Sequence, residues 1–258
     1  PGDSTPVDSD PVVEDTGEEE EEEAAPMEIE GEAECEPLVP EACMLPWPSD
    51  RYLKRKTSNR TGYRIDYDPD AAWMNVYGTA VDVETFDRHD GYSPSSQILT
   101  LFAEPADLAD AAFWDSIDRS LEDDHPTVLL DMTTGERLPH WVENDARATD
   151  PDETVLFIRP VTRLDQNRKY AVAIRPLNGL SGDPLESSPA FIALRDDIET
   201  DNSKLESRRS SYETMFTALE RAEVERSTLL QAWWFKTASD ENTRGPFIAM
   251  RADSMEWL

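Results

Sequence analysis

The sequence has little positive charge, little cysteine and no long apolar run. In 258 residues, 24 Lys and Arg stand against 56 Asp and Glu, leaving a net charge of −32. A duplex or single-stranded nucleic acid would be repelled by such a field, and so would an anionic lipid surface. No stretch approaches the roughly 20 apolar residues that a membrane-spanning helix requires. Three histidines, His89, His125 and His140, show no i, i+4 pair and no H-E-x-x-H, which excludes a zincin site. G-x-G-x-x-G and Walker A loops are missing. So is the G-x-S-x-G turn that exposes a nucleophilic serine in α/β-hydrolases. The nearest serine-rich stretch, Gly91-Tyr92-Ser93-Pro94-Ser95-Ser96, lacks the second glycine and precedes a strand. A triad drawing on Ser93 and His140 has no support in the spacing.

What charge there is sits unevenly. Residues 1–36 hold sixteen carboxylates, including the run Glu18 to Glu23, and no Lys or Arg. The other 40 acidic and 24 basic residues leave −16 on residues 37–258. A Glu-rich segment with almost no large apolar side chains does not offset its own ordering entropy, so residues 1–36 read as a disordered acidic tail. The short basic stretch from Arg51 to Arg60 is a solvated surface, or a partner for that tail. The only cysteines, Cys35 and Cys43, flank a short loop with no histidine nearby. A disulfide is the preferred reading and places the chain in an oxidising compartment; two unpaired thiols are the alternative. The opening Pro1 fits a removed leader or a longer parent chain, and an acidic tether at that position suits an exported protein.

The remainder reads as mainly β with added helices. Residues 37–96 form an extended lead-in, where Pro46 and Pro48 forbid helix and Trp47, Tyr52 and Leu53 anchor the segment on the body. Asp90 to Pro94 is a turn. Strands are expected at 97–102, 127–131, 137–143, 154–159, 169–175 and 228–237, the second and third forming a hairpin around Thr133 to Glu136. In the strand at 169–175, Tyr170, Val172 and Ile174 face outward from Ala171 and Ala173. Helices are expected at 105–121, from Ser188 to Arg195, at 204–222 behind a Ser203–Glu206 capping box, and beyond Ser239. In the last, Phe247, Met250, Ser254 and Trp257 share one stripe, and a stripe ending on Trp257-Leu258 suggests a continuing chain. Adjacent Trp233 and Trp234 point to opposite faces of their strand, one into the core and one under a helix.

Candidate chemistry is sparse. Asp66, Asp68 and Asp70 resemble the start of a calcium loop, but Ala71 and Tyr77 occupy the positions where glycine and glutamate belong. Glu122, Asp123 and Asp124 read as solvated. No catalytic, cofactor-binding or metal-ligating residue is assigned and no cofactor is expected.

One resemblance supplies more. The strings Glu153-Thr154-Val155-Leu156-Phe157-Ile158-Arg159-Pro160, Tyr170 to Ile174 and Gly182-Asp183-Pro184-Leu185 look like a bacterial Ig-like domain. With Leu45-Pro46-Trp47-Pro48-Ser49-Asp50, Thr61-Gly62, Asp90 to Pro94 and Gln231 to Ser239, the arrangement resembles the N-terminal region of exported bacterial hydrolases of the virulence-factor-lipase type. The resemblance spans about residues 43–258 and implies an Ig-like β-sandwich at 97–200. It also implies a helix–strand–helix region at 201–258 leading into a downstream α/β-hydrolase domain in the same chain. The implied role is a non-catalytic module that spaces or orients that domain, at the outer surface or in the periplasm, and a lipid anchor upstream is compatible with it. The parent protein would be a serine ester hydrolase. A free-standing extracellular binding or adhesion module is the alternative. Neither reading calls for nucleic acid or a membrane span.

Overall fold

Short β-branched and aromatic runs between turn residues give short strands here. The computed structural model describes Gly2 and residues 25–257. The acidic run Glu18 to Glu23, read above as disordered, lies outside the described residues. The described residues form a mixed α+β fold with three antiparallel sheets. Strands β1 (Leu53–Arg55) and β2 (Tyr63–Ile65) pair as a hairpin within the lead-in. Strands β3 (Ile98–Thr100), β4 (Thr127–Asp131), β5 (His140–Asn144), β6 (Leu156–Pro160), β7 (Lys169–Ile174) and β8 (Gln231–Lys236) make two three-stranded sheets, ordered β3-β6-β5 and β4-β7-β8.

The β4-β7-β8 sheet is the centre of the core. Tyr170 lies opposite Phe235 and Val172 opposite Trp233, while Ala171 lies opposite Trp234. Both faces are covered, so the expected outward face of Tyr170, Val172 and Ile174 is in fact buried like the rest. On one face Trp233 Nε1 donates to the Pro48 carbonyl at 2.9 Å, fixing the lead-in. On the other Trp234 Nε1 donates to Ser211 Oγ at 3.2 Å, beneath a helix. The opposed tryptophans follow from the twofold side-chain alternation of a strand. Small Ala171, Ala173 and Ala232 flank Trp234 on that face and leave room for the helix. Thr100 on β3 donates to Gln231 on β8 at 2.7 Å, joining the two larger sheets by a buried polar contact.

The described residues hold four α-helices: α1 (Pro189–Arg195), α2 (Ser203–Glu206) and α3 (Arg209–Arg221) before β8, and α4 (Asp240–Glu256) after it. Ser188 caps α1, with Pro189 in the first turn, where its missing N–H costs nothing. The single helix expected at 204–222 is two. Asn202, not Ser203, caps α2. Glu206, the expected capping-box partner, binds Thr200 and Arg209 instead, and the Arg209 hydrogen bond holds its carboxyl down at about 2. The break at Ser207–Arg208 carries the Arg208 side chain into the interior.

Two other expectations fail for local reasons. Residues 105–116 are irregular, and only Ile117–Leu121 make a 3-10 turn. Their backbone groups are taken by distant partners: Asp107 N–H donates to Asn178 O, and Ala112 N–H to a histidine ring. Asp107 Oδ1 also accepts from Ala109 N–H, a short-range bond that competes with helix. The expected hairpin at 127–143 begins, with Leu138 N–H bonded to Leu129 O, and then parts. Pro139 has no N–H to continue the ladder. β5 crosses to pair with β6 while β4 stays with β7.

Candidate functional site

Three clusters in this fold carry polar or aromatic groups of chemical interest, and each is built by a different device.

The first lies where the acidic stretch meets α3. Residues 27–36 fell within the expected disordered tail, yet they are held on the body. Met27 bridges Thr200, and Ile29 N–H donates to Asp201 Oδ1 at 3.1 Å. Arg51 donates to the carbonyls of Ala33, Glu34 and Cys35. The basic stretch therefore does meet the acidic one, through backbone oxygens rather than carboxylates. Cys35 and Cys43 are disulfide-bonded, with Cα atoms 4.4 Å apart. Glu36, next to the disulfide, is wholly buried. Its carboxylate takes two bonds from Arg208, at 2.7 and 2.9 Å, and one from Ser49 Oγ at 2.6 Å. Asp50 takes two more from the same guanidinium, at 3.0 and 2.8 Å. Burial pushes the Asp50 carboxyl above its usual range against the pull of Arg208. One guanidinium thus spans two buried carboxylates, with every Arg208 nitrogen engaged. Such a cluster fixes geometry: any one partner removed leaves a charge stranded in low dielectric.

The second is a histidine pair. His125 Nε2 accepts from Ala112 N–H at 2.7 Å, so its proton is on Nδ1, which lies 2.8 Å from Thr127 O. His140 Nδ1 lies 2.8 Å from Leu138 O, and its Nε2 is 2.8 Å from Thr127 Oγ1. The same logic assigns both rings as neutral Nδ1–H tautomers. Burial drives both basicities down, and His140 falls to about 4. The rings cross edge to face at 5.7 Å. Both are spent on backbone and hydroxyl partners; Ser93, the serine considered with His140, is exposed elsewhere on the molecule.

The third is a cleft of about 1030 Å³ between the lead-in and the start of α4. The Asp90-Gly91-Tyr92 turn builds it. A Cβ on Gly91 would stand 2.7 Å from the backbone of Thr237 and Ala238, so only glycine lets the turn lie against the end of β8. Tyr92 N–H then donates to Lys236 O, and Tyr92 O accepts from Ala238 N–H. Asp90 Oδ1 accepts from Ser239 N–H at 3.0 Å, and Ser239 Oγ caps α4. Next to it, His89 Nδ1 is 3.2 Å from Asn242 Oδ1, and Asn242 donates to Arg88 O. The turn read from sequence therefore aims the last helix.

The cleft wall is aromatic. Trp47 stacks on Tyr67 at 5.7 Å and meets Tyr92 edge-on at 5.1 Å. Tyr67 also packs edge-on against Trp73 at 6.2 Å and Phe86 at 5.4 Å. Pro246 and Phe247 of α4 line the opposite side. Burial raises the Tyr92 phenol well above its ordinary value, so the hydroxyl stays protonated and donates to Ser49 O at 2.7 Å. The cleft can seat apolar or aromatic groups of a partner; a preformed pocket of this size is at the upper end for ligand sites.

The carboxylates considered for calcium are engaged singly. Asp66 pairs with Lys54 and Arg64, Asp68 caps the turn at 69–71, and Asp123 lies 3.8 Å from Arg137. Among the described residues no group of three or more His, Cys, Asp or Glu is arranged to hold a metal ion.

Beyond Pro246, α4 differs from its expected form. Phe247, Met250 and Trp257, read as sharing one stripe, are 68%, 55% and 92% exposed, and no residue of α4 is buried. Among the described residues no helix is long and apolar enough to cross a membrane.

Comparison of the chain with protein-family models, curated proteins and solved structures returns no match.

Proposed function

We propose that this chain is the non-catalytic N-terminal module of an exported bacterial hydrolase of the virulence-factor-lipase type, spacing or orienting a downstream α/β-hydrolase domain. The observation that carries the reading is α4. A helix of 17 residues, capped at its start by Ser239, leaves Phe247, Ile248, Met250 and Met255 open, with Trp257 just past its end, beside a cleft whose wall it shares. Exposed apolar area of that kind marks an interaction face. Strands β3 to β7, the part of the two larger antiparallel sheets within residues 97–200, are what we read as Ig-like. The Cys35–Cys43 disulfide supports an oxidising location, at the outer surface or in the periplasm. A free-standing binding module is the second reading, favoured by the aromatic cleft alone.

The coding sequence downstream of codon 258 tests this at once. The proposal expects a G-x-S-x-G strand–turn–helix within the next few hundred residues, on the scale of one or two domains. A stop codon directly after Leu258 would overturn it. The non-catalytic part is tested by ester hydrolysis with this chain alone: no turnover is expected, and activity lost on Ser93→Ala would contradict it.

A further inference from the structure

The cleft and the outer face of α4 share more than a boundary. Phe247 lines the cleft and opens the exposed stripe that runs through Ile248, Met250 and Met255. Across the cleft, the loop that supplies Trp73 also exposes Met74, Val76 and Tyr77, at 67%, 93% and 89%. Apolar seats therefore stand on both sides of one groove. Three of them, Met74, Met250 and Met255, are methionines, and flexible thioethers suit a surface that adapts to a partner's side chains.

The charge around these seats is mostly negative. Residues 66–87 contain six carboxylates and no Lys or Arg. Asp66 and Asp87 pair with Arg64, while Asp70, Asp82 and Glu84 are exposed without an ionic partner among the described residues. On α4, Asp240 pairs with Arg244, while Glu241, Asp253 and Glu256 stand exposed beside Arg251. Arg60 and Arg88 line the cleft against Asp90 and Glu241, so the lining itself is balanced; the negative excess lies beside it, on residues 66–87 and on α4. A second copy of the chain would bring the same carboxylates and another net charge of −32 to the contact. Anionic lipid and nucleic acid meet the same repulsion.

We infer that this groove and the outer face of α4 form one docking surface for a cationic amphipathic protein segment, its apolar side chains seated against Trp73, Met74, Phe247 and Met250 and its Lys or Arg facing Asp70, Asp82, Glu84 and Glu241. A helix laid in a groove, anchored at i, i+3, i+4 and i+7, matches the layout. The inference deepens the accessory-module reading, on which it rests for the existence of a partner, by stating the chemistry of the surface that this module meets. If the gene encodes no hydrolase downstream, that reading falls while the binding result below stands by itself.

The test is fluorescence anisotropy with the full chain and labelled synthetic helical peptides of about 18 residues. One carries Leu on one face and Lys on the other, a second replaces Lys by Glu, and a third replaces Leu by Ser. The Leu/Lys peptide is expected to bind with a Kd on the order of micromolar, and the other two at least about tenfold more weakly. The double variant Phe247→Ser, Met250→Ser, at exposed positions, is expected to weaken the Leu/Lys peptide by about tenfold or more. A second variant, Asp70→Asn with Asp82→Asn and Glu84→Gln, is expected to weaken it several-fold and to flatten its salt dependence. Undiminished binding by both variants would place the peptide away from this groove and overturn the inference. No binding of the Leu/Lys peptide, or equal binding of the Leu/Glu peptide, would overturn it as well.

Discussion

The stretch from Met27 to Asp50 and the helix α4 meet opposite fates. The first carries seven carboxylates, yet it is threaded onto the body, closed by a disulfide and ended by two buried acids on one guanidinium. The second carries Phe247, Ile248, Met250, Met255 and Trp257 and buries none of them. The character of a side chain does not by itself decide burial here: Glu36 and Asp50 are inside while Phe247 and Met250 are outside. What decides burial here is whether a segment has complementary partners already placed. Glu36 and Asp50 have Arg208, Ser49 and the Leu38 amide within reach. The apolar side chains of α4 have none among the described residues.

The largest effect should come from breaking the buried cluster. Arg208→Met strands Glu36 and Asp50 without a counter-charge. A loss of about 3–5 kcal/mol is expected in urea unfolding, the range for removing one partner of a buried pair. Replacing all three charged groups by apolar residues of similar volume should cost much less, and a comparable loss would show that packing, rather than charge, dominates there.

Acid should act on the same interior through His140. Its folded value near 4 lies below the ordinary 6.5, so the fold favours the neutral ring. Stability from this group is complete above about pH 6.5 and is lost as pH falls toward 4. The full shift corresponds to about 3 kcal/mol. His125 moves in the same direction. His140→Asn should be less stable at pH 7 but should show a shallower decline between pH 6.5 and 4.5. An unchanged slope would remove His140 from the account.

Opening the disulfide should cost less. The Cys35→Ser, Cys43→Ser pair frees a short loop, for which the chain-entropy estimate is about 2–3 kcal/mol. The loss should be accompanied by proteolytic cutting within residues 27–36. A stability loss without such cutting would mean that Arg51, Lys204 and Thr200 hold the stretch unaided.

At the other extreme, Met255→Ser or Trp257→Ser should leave stability within about 0.5 kcal/mol, as exposed positions generally do. A larger loss would mean that α4 packs on the body.

How far the sequence reads out depends on how local the cause is. The Trp233–Trp234 alternation, the Ser188-Pro189 helix start, the Ser239 cap and the Asp90-Gly91 turn are settled within a few residues, and each appears where expected. The strands at 98–100, 156–160 and 169–174 declare themselves by short apolar runs. Features that depend on distant partners do not. Nothing within residues 27–36 announces that Arg208, 172 residues from Glu36, will neutralise it. The helical periodicity of residues 105–121 is real, but Asn178 and His125 claim its backbone. Pro139 sends β5 to another sheet, a sheet-level choice that two adjacent strands do not encode. The aromatic cleft was legible only in part: Trp47 and Tyr52 stood out as anchors, whereas the convergence of Tyr67, Trp73 and Phe86 on Trp47 needed the fold. The α4 stripe was visible, and its exposure was not.

Native-state hydrogen exchange read by mass spectrometry compares the two stretches in one experiment. Amides of Glu36, Leu38 and the Ser49–Tyr52 turn should exchange only with global unfolding, alongside β7 and β8, while those of α4 beyond Pro246 should exchange through local opening orders of magnitude faster. Protection of α4 equal to that of β8, or rapid exchange around Glu36, would contradict the claim that Glu36 and Asp50 are interior and the apolar helix is a presented face.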